Sequence, residues 1–363
     1  MQEQAEAEIA DRVRGATGTL AIVGGGTRGT PGIGERMFTN GLTGIRLYEP
    51  GALTVVAGAG TPVAELEAAL VLERQRLAFE VPDMRGLLGR EGVSTIGGVV
   101  AMNASGPRRI QAGACRDSLL GVRFVDGRGG IIKNGGRVMK NVTGYDLVKL
   151  MAGSRGALGV LTEVSIRVQA MQEAEATLVV PVADATTGVA VLSRALGSPF
   201  DVTGAAYDGR ALVRIEGMAG SVTYRARALQ GLLGGEIVHQ GESAALWRSV
   251  RDVTVLQGVS GAIWRISVKP TDGPRVLAGL GDVPHLLDWG GGLLWVAVAD
   301  DVATSGALRH TVAGFGGHAT RLRGEAEVPD YHPELPAVAA LTRALRQQFD
   351  PRGIFNPGLM APA

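Results

Sequence analysis

Glycine supplies 55 of the 363 residues, about twice the ~7% of an ordinary globular chain. No other feature constrains the fold as much. A residue without Cβ weakens helices and strands, so glycines accumulate where the backbone needs positive φ or approaches another backbone or a ligand closely. They follow no Gly-X-Y period and the apolar fraction is 45%, which argues against a collagen-like rod and against disorder. The glycines instead gather locally, as in Gly24-Gly25-Gly26, Gly86-Leu87-Leu88-Gly89, Ile96-Gly97-Gly98 and Gly153-Ser154-Arg155-Gly156. Such a chain is expected to be a folded protein with several tight, ligand-approaching loops.

Between these clusters the pattern predicts a polar helix over 1–14 and a short apolar strand over 19–23 that runs into Gly24. Strands are expected at 44–48 and 53–57. Val63, Leu66, Ala69 and Leu70 keep helical spacing to about Arg74, with Thr61 as cap and Pro62 in the first turn. A small-residue helix is expected at 99–103. Asp126-Gly127-Arg128-Gly129 between apolar runs at 119–125 and 130–133 is a hairpin signal. A helix near 145–152 and a strand at 160–168 complete the first part. After a polar link at 171–175, strands at 177–182, 205–207, 211–216, 264–268 and 293–298 alternate with helices near 186–196 and 220–233. These read as an antiparallel sheet. A helix at 332–348 and the turns around Asp350-Pro351-Arg352-Gly353 and Asn356-Pro357-Gly358 form the tail. The expected division is therefore 1–170, 171–328 and 329–363, in an α+β chain.

Several functions are poor fits. The formal net charge is +1 and aromatic residues make up 4%, so no basic stripe with stacking rings is available to nucleic acid. One cysteine, Cys115, cannot build a disulfide framework or an iron–sulfur cluster. No apolar run is long enough for a membrane span, and the N-terminal residues are acidic and Ala-rich, so the cytoplasm is the expected location.

Gly24-Gly25-Gly26-Thr27-Arg28-Gly29 formally satisfies G-x-G-x-x-G. In a dinucleotide-binding βαβ unit a helix begins inside that motif and its N-terminus faces the pyrophosphate. Here the next residues are Thr30-Pro31-Gly32-Ile33-Gly34, which oppose a helix, and Glu49, the one acid available for a ribose, precedes Pro50. Two readings stay open. Consecutive backbone N–H groups of Gly24 to Thr27 form a nest for a diphosphate, or the segment is a plain glycine turn.

The rest of the first half bears on that choice. Ser94-Thr95-Ile96-Gly97-Gly98, Asn103-Ala104-Ser105-Gly106, Gly113-Ala114-Cys115-Arg116-Asp117 and Gly153-Ser154-Arg155-Gly156-Ala157-Leu158-Gly159-Val160-Leu161-Thr162 follow the glycine loop in order. That order resembles the FAD-binding domain of the vanillyl-alcohol oxidase / p-cresol methylhydroxylase superfamily, over roughly 15–170 plus the tail. Within it, Asp288-Trp289-Gly290-Gly291 and the segment from Phe349 to Gly358 resemble the FAD-binding E subunits of bacterial glycolate oxidases. The resemblance implies a two-subdomain FAD-binding domain with noncovalent FAD, a second α+β domain, and a C-terminal segment returning to the first. It implies that Gly24, Gly25, Gly26 and Thr27 hold the pyrophosphate. Ile96, Gly97 and Gly98, with Asn103, Ala104, Ser105 and Gly106, would pass along the isoalloxazine and the dinucleotide's middle. Gly159 and Val160 would meet the adenosine end, and Asn356 the flavin ring. Arg28, Arg108, Arg109 and Arg116 are candidates to offset phosphate or reduced-flavin charge.

The Glu-His-Gly and Gly-Asp-Gly-Asn-x-His segments that carry substrate-binding residues in hydroxyacid-oxidising relatives are missing. The histidines are His239, His285, His310, His318 and His332; Gly316-Gly317-His318 is the nearest echo. The resemblance therefore implies a redox subunit that takes part in oxidising a small 2-hydroxy acid (glycolate) to glyoxylate beside a catalytic FAD subunit and an iron–sulfur subunit; an autonomous FAD-dependent 2-hydroxy acid dehydrogenase and a structural subunit with a vestigial flavin site are the alternatives. Any membrane association would come through those partners. Ala152-Gly153-Ser154-Arg155-Gly156 lacks the first glycine of a serine nucleophile elbow and precedes its strand instead of following it, which argues against a hydrolase.

Overall fold

A computed structural model describes residues 2–29, 32–136 and 144–359. Thr30 and Pro31 of the expected loop continuation, and residues 360–363 of the tail, lie outside them. The helix Gln2–Gly15 buries Ile9, Ala10 and Val13 against Leu20, Met37, Val125 and Val160. β1 (Leu20–Val23) pairs in parallel with β2 (Glu35–Phe38), Leu20 opposite Glu35. β2 escapes a pattern-based reading because only Met37 of its four residues is buried. The other edge of β1 is occupied from the far end of the chain. Leu20 N–H donates to the Ile354 carbonyl (2.7 Å) and Asn356 N–H to the Leu20 carbonyl (3.0 Å).

The central sheet contains β3 (Ile45–Glu49), β4 (Thr54–Gly58), β5 (Gln75–Leu77), β6 (Leu119–Val125), β7 (Ile131–Gly135) and β8 (Val160–Ala170), in the order β3-β4-β8-β6-β7 with β5 on the far end of β8. The Asp126–Gly129 turn joins β6 to β7 as expected: Asp126 Oδ1 accepts from the N–H groups of Arg128 (3.0 Å) and Gly130 (2.7 Å). The helix Val63–Leu72 buries Val63, Leu66 and Leu70, each worth about 1.5–3 kcal/mol of transfer free energy. Its start differs from expectation. Pro62 is the N-cap residue and no side chain caps the helix, because the Thr61 hydroxyl is turned away and donates to the Gly44 carbonyl (3.3 Å). The small-residue helix begins earlier than expected, at Ile96–Ala101, because Thr95 caps it, Oγ1 accepting from Gly98 N–H (3.4 Å).

The large sheet is antiparallel throughout. β9 (Ala174–Pro181), β10 (Gly204–Tyr207), β11 (Arg210–Gly217), β12 (Glu236–His239), β13 (Ala262–Ser267), β14 (His285–Asp288), β15 (Leu293–Val298) and β16 (His318–Arg323) lie in the order β12-β9-β11-β10-β14-β15-β13-β16. The polar link before it is shorter than expected. β9 already includes Glu175, which pairs opposite Glu216 and accepts from the Ser243 hydroxyl (2.7 Å). One face of this sheet packs against the helices Ala185–Leu196, Ala219–Leu233, Gly273–Leu280 and Val302–Gly314. The other meets Met84, Leu87 and Leu88 from the first part of the chain, with Trp247 between. The tail helix is Pro336–Phe349; it starts later than expected because Pro336 sits where a proline starts a helix.

Charges lock the two sheets together. Arg214 on β11 donates to both carboxylate oxygens of Glu80 (2.8 and 3.1 Å). Arg108 donates to both oxygens of Glu216 on β11 (2.9 and 2.7 Å), and Arg76 on β5 reaches the same carboxylate (2.7 Å). Arg108 N–H also donates to Glu80 (2.7 Å), and Arg214 stacks on Trp247 at 4.5 Å. Burial alone would raise the carboxyl pKa values, but the guanidinium groups outweigh it. Glu80 falls to about 2 from an ordinary 4.5, and Glu216 is also held well below that range. Both groups are depressed, so their contribution to stability is complete above about pH 4.5 and is lost as the pH falls toward 2. Removing one partner leaves a buried charge uncompensated, so Glu216→Leu is expected to cost about 3–5 kcal/mol. Urea unfolding at pH 7 measures this, and the stability difference between variant and parent should shrink on acidification through pH 4 to 3.

Candidate functional site

Where β1 ends, the glycine loop does not enter a helix; Gly24 to Gly29 is a run of bends. It forms one wall of a cleft of about 490 Å³, in the size range of small-molecule and cofactor pockets. The opposite walls are Thr95, Gly97, Gly98, Ala101 and Met102 from the capped helix, Arg155, Gly156 and Gly159 from the loop before β8, and Tyr331, Asn356 and Leu359 from the tail.

The glycines here have distinct reasons. A Cβ on Gly25 would lie 1.6 Å from the Val93 carbonyl oxygen, and one on Gly24 2.6 Å from Thr95 Oγ1. These two residues let the loop close onto residues 93–95. Gly26 meets open space but has φ +67°, a conformation that costs roughly 1–2 kcal/mol with a side chain. Gly97 donates to the Ala59 carbonyl (2.7 Å) and has no room for a Cβ against Ala59. Gly159 packs against the Phe124 ring and the Val125 carbonyl.

Among the described residues, none of the backbone N–H groups of Gly24 to Gly29 donates a hydrogen bond within the protein. Arg28 donates one Nη2–H to the Pro82 carbonyl (2.6 Å), while its buried Nε and Nη1 have no partner. Burial lowers the Arg28 pKa to about 10, which leaves it a cation at neutral pH. A nest of free amides beside a desolvated guanidinium suits a phosphate-bearing ligand, so the residues present fit the diphosphate of a dinucleotide.

Asn356 holds the last wall. Its Oδ1 accepts from Ile22 N–H on β1 (2.8 Å) and its Nδ2 donates to the Arg155 carbonyl (2.8 Å), which ties both ends of the amide to protein groups. Gly156 has φ +74° and no space for a Cβ before Asn356 Nδ2.

The sequence comparisons agree with this geometry. The FAD binding domain family matches residues 4–135. The chain is 36% identical to glycolate oxidase subunit GlcE of Escherichia coli (strain K12), over 99% of this chain and 95% of that one. The chain belongs to the GlcE family of FAD-binding oxidoreductase subunits. This GlcE-family chain is also 41% identical over 86 residues to glycolate oxidase subunit GlcD of Bacillus subtilis, covering 24% of this chain and 18% of that one. A structure of alkyldihydroxyacetonephosphate synthase superposes with a TM-score of 0.69 at 15% identity, over 98% of this chain and 75% of that one. That likeness concerns fold alone: the p-cresol methylhydroxylase-type FAD-binding fold.

Of the residues singled out in the GlcE-family sequence, Gly24, Gly25, Gly26, Thr27, Gly97, Gly98, Gly159 and Asn356 line the cleft. Ile96 is in the core of the central sheet, and Val160 is buried beside Gly159. Asn103 and Ser105 tie down their own loop, accepting from Arg116 N–H (3.0 Å) and Cys115 N–H (2.9 Å); Ala104 packs on the central core. Gly106 faces Glu80 and accepts from Trp289 Nε1–H (3.2 Å). Among the four candidate arginines, Arg28 lines the cleft. Arg108 is consumed by Glu216, and Arg116 is exposed beside Asp117 (3.6 Å). No histidine is among the residues lining the cleft. Arg155 and Tyr331 were not legible as a pair, because only the fold brings positions so far apart together, the guanidinium lying 4.0 Å over the ring. Asn356→Asp replaces a donor with an acceptor facing the Arg155 carbonyl. It is expected to cost about 2–3 kcal/mol in urea unfolding, whereas Asn40→Asp at an exposed site leaves the curve unchanged.

Proposed function

We propose that this chain holds FAD noncovalently and works as the redox subunit of a multi-subunit oxidase that converts a small 2-hydroxy acid, glycolate, to glyoxylate. The observation that carries this reading is the glycine loop at the cleft wall: among the described residues its Gly24 to Gly29 amides donate to no protein group, and Arg28 lines the cleft beside them. FAD, when bound, supplies the two-electron chemistry, and the protein supplies binding, orientation and local polarity.

In this reading residues 1–170, with 329–363 returning to them, form the FAD-binding domain, and 171–328 form a cap. The amides of Gly24, Gly25, Gly26 and Thr27 and the Arg28 guanidinium take the diphosphate. Gly97 and Gly98, supported by Ile96, pass along the dinucleotide, with the Asn103–Gly106 loop behind them. Gly159 and Val160 meet the adenosine end through backbone atoms, and Asn356 fixes the wall beside the ring. Cys115 supports a noncovalent cofactor: it is buried away from the cleft, and burial pushes its thiol pKa well up, which suppresses the nucleophilic thiolate. The missing Glu-His-Gly segment and the single cysteine support a catalytic flavin subunit for substrate oxidation and an iron–sulfur subunit for onward electron transfer. Among the described residues no helix is long and apolar enough to cross a membrane, so attachment to one would run through those partners.

Flavin absorbance and fluorescence titration test the cofactor site. Gly25→Ala and Arg28→Gln are each expected to weaken FAD binding about tenfold or more. Absence of flavin bands after FAD is added to the parent protein would overturn the reading. Glycolate-dependent dye reduction is expected only when the partner subunits are present; robust turnover by this chain alone would overturn the subunit role.

A further inference from the structure

Most buried arginines of this protein have a carboxylate: Arg108 and Arg214 pair with Glu216 and Glu80, and Arg321 with Asp330. Three others do not. Arg109, at the start of the short helix Arg109–Ala112, lies 4.4 Å over the Trp289 ring. Arg265 on β13 lies 5.1 Å from the same ring and 5.8 Å from Trp295. Arg155 lies over Tyr331, and both of these line the cleft. Among the described residues, none of these three side chains has an ion pair, although Asp117 acts on Arg109 and Asp330 on Arg155 from a distance. Burial, with repulsion from Arg109 and Arg155, lowers the Arg265 pKa to about 10. Arg109 and Arg265 are brought together on the one Trp289 ring, and the charge of Arg155 also acts on Arg265. Asp288 is the acid that acts on Arg265, but it makes no ion pair with it. Its Oδ1 accepts from Trp289 N–H (2.7 Å), and burial raises its pKa to about 7.

The local backbone is bent to build this cluster. Trp289 and Arg155 have φ of +53° and +55°, a region that side chains larger than Asn rarely occupy and that concentrates at functional sites. Trp289 is further pinned by its Nε1–H bond to the Gly106 carbonyl. Each guanidinium has its face against an aromatic ring, which leaves its N–H edges for another partner. Those edges form planar forks that match a carboxylate, and a cluster of desolvated like charges is relieved by an anion.

We propose that Arg265, Arg109 and Arg155 form a carboxylate-binding site on this chain itself, where the cleft meets the large sheet, with Trp289 as its floor. The anion is a small organic acid. The choice of carboxylate over phosphate rests on the 2-hydroxy acid reading above; the arginine cluster does not. The complex then carries a binding site for substrate or product on this subunit, in addition to any on the catalytic partner.

The test uses the full-length, FAD-loaded protein. Glycolate, oxalate and inorganic phosphate are titrated separately while tryptophan fluorescence and flavin absorbance are recorded. Trp289 and Trp295 are two of only four tryptophans, so occupancy should change the emission saturably. Arg265→Gln and Arg109→Gln are each expected to weaken glycolate and oxalate binding about tenfold or more, with flavin absorbance retained. Arg275→Gln, at an exposed arginine stacked on Phe315, leaves binding unchanged. Should Arg265→Gln fail to fold, Arg109→Gln and Arg155→Gln carry the comparison. No saturable carboxylate response in flavin-loaded protein overturns the site while leaving the cofactor assignment intact. A response to phosphate alone overturns the carboxylate class. A shifted flavin spectrum in Arg265→Gln, without carboxylate binding in the parent, overturns the site by giving these arginines to the flavin. Failure to load FAD, with carboxylate binding preserved, counts against the cofactor reading and for the site.

Discussion

The buried pairs Arg214–Glu80 and Arg108–Glu216 set the position of the large sheet on the first part of the chain. Apolar contacts between Met84, Leu87, Leu88 and the sheet favour association but accept small slides. Bidentate arginine–carboxylate bonds do not, because each fork fits in one geometry. The neighbouring residue inherits this constraint. With Arg108 fixed on both Glu216 oxygens and its N–H on Glu80, the next side chain, Arg109, leaves the network and reaches Trp289. A device that aligns two sheets thus also aims a free charge.

The cleft glycines separate two meanings of a glycine-rich loop. Gly24, Gly25, Gly97 and Gly159 are required because protein groups crowd the place where a Cβ would stand. Gly26 is required for its backbone angle. The amides of Gly24 to Gly29 donate to no protein group among the described residues, and Arg28 keeps one bond, to the Pro82 carbonyl. Close packing of the loop and openness of its N–H groups are one arrangement seen from two sides.

Much of this was legible in the sequence, and the remainder was hidden for identifiable reasons. The 19–23 run, the refusal of Gly24–Gly29 to start a helix, the Asp126–Gly129 turn and the antiparallel strands after 170 all follow from local patterns. β5 was not visible because Gln75-Arg76-Leu77 becomes a strand only by pairing with the end of β8. Glu175 read as linker because a charge in an apolar run normally signals solvent, and here Ser243 satisfies it inside the protein. The helices Gln240–Arg251, Gly273–Leu280 and Val302–Gly314 contain glycine or many polar residues, which blurs their period; packing on the large sheet stabilises them. Arg28 was recognisable as a phosphate candidate. Arg155, Arg265 and Trp289 could not be grouped, since no periodicity links loop, strand and turn.

The return of the tail to β1 has a consequence for the order of events in synthesis. Ile22 and Asn356 hydrogen-bond across 334 positions of sequence, so the free edge of β1 is covered only after the segment around Asn356 has been made. Until the C-terminal segment leaves the ribosome the cleft lacks one wall. A ligand that needs every wall of the cleft is therefore held only once that segment has returned, and a chain stopped short of Asn356 would present an open-edged sheet to its surroundings instead of a closed cleft.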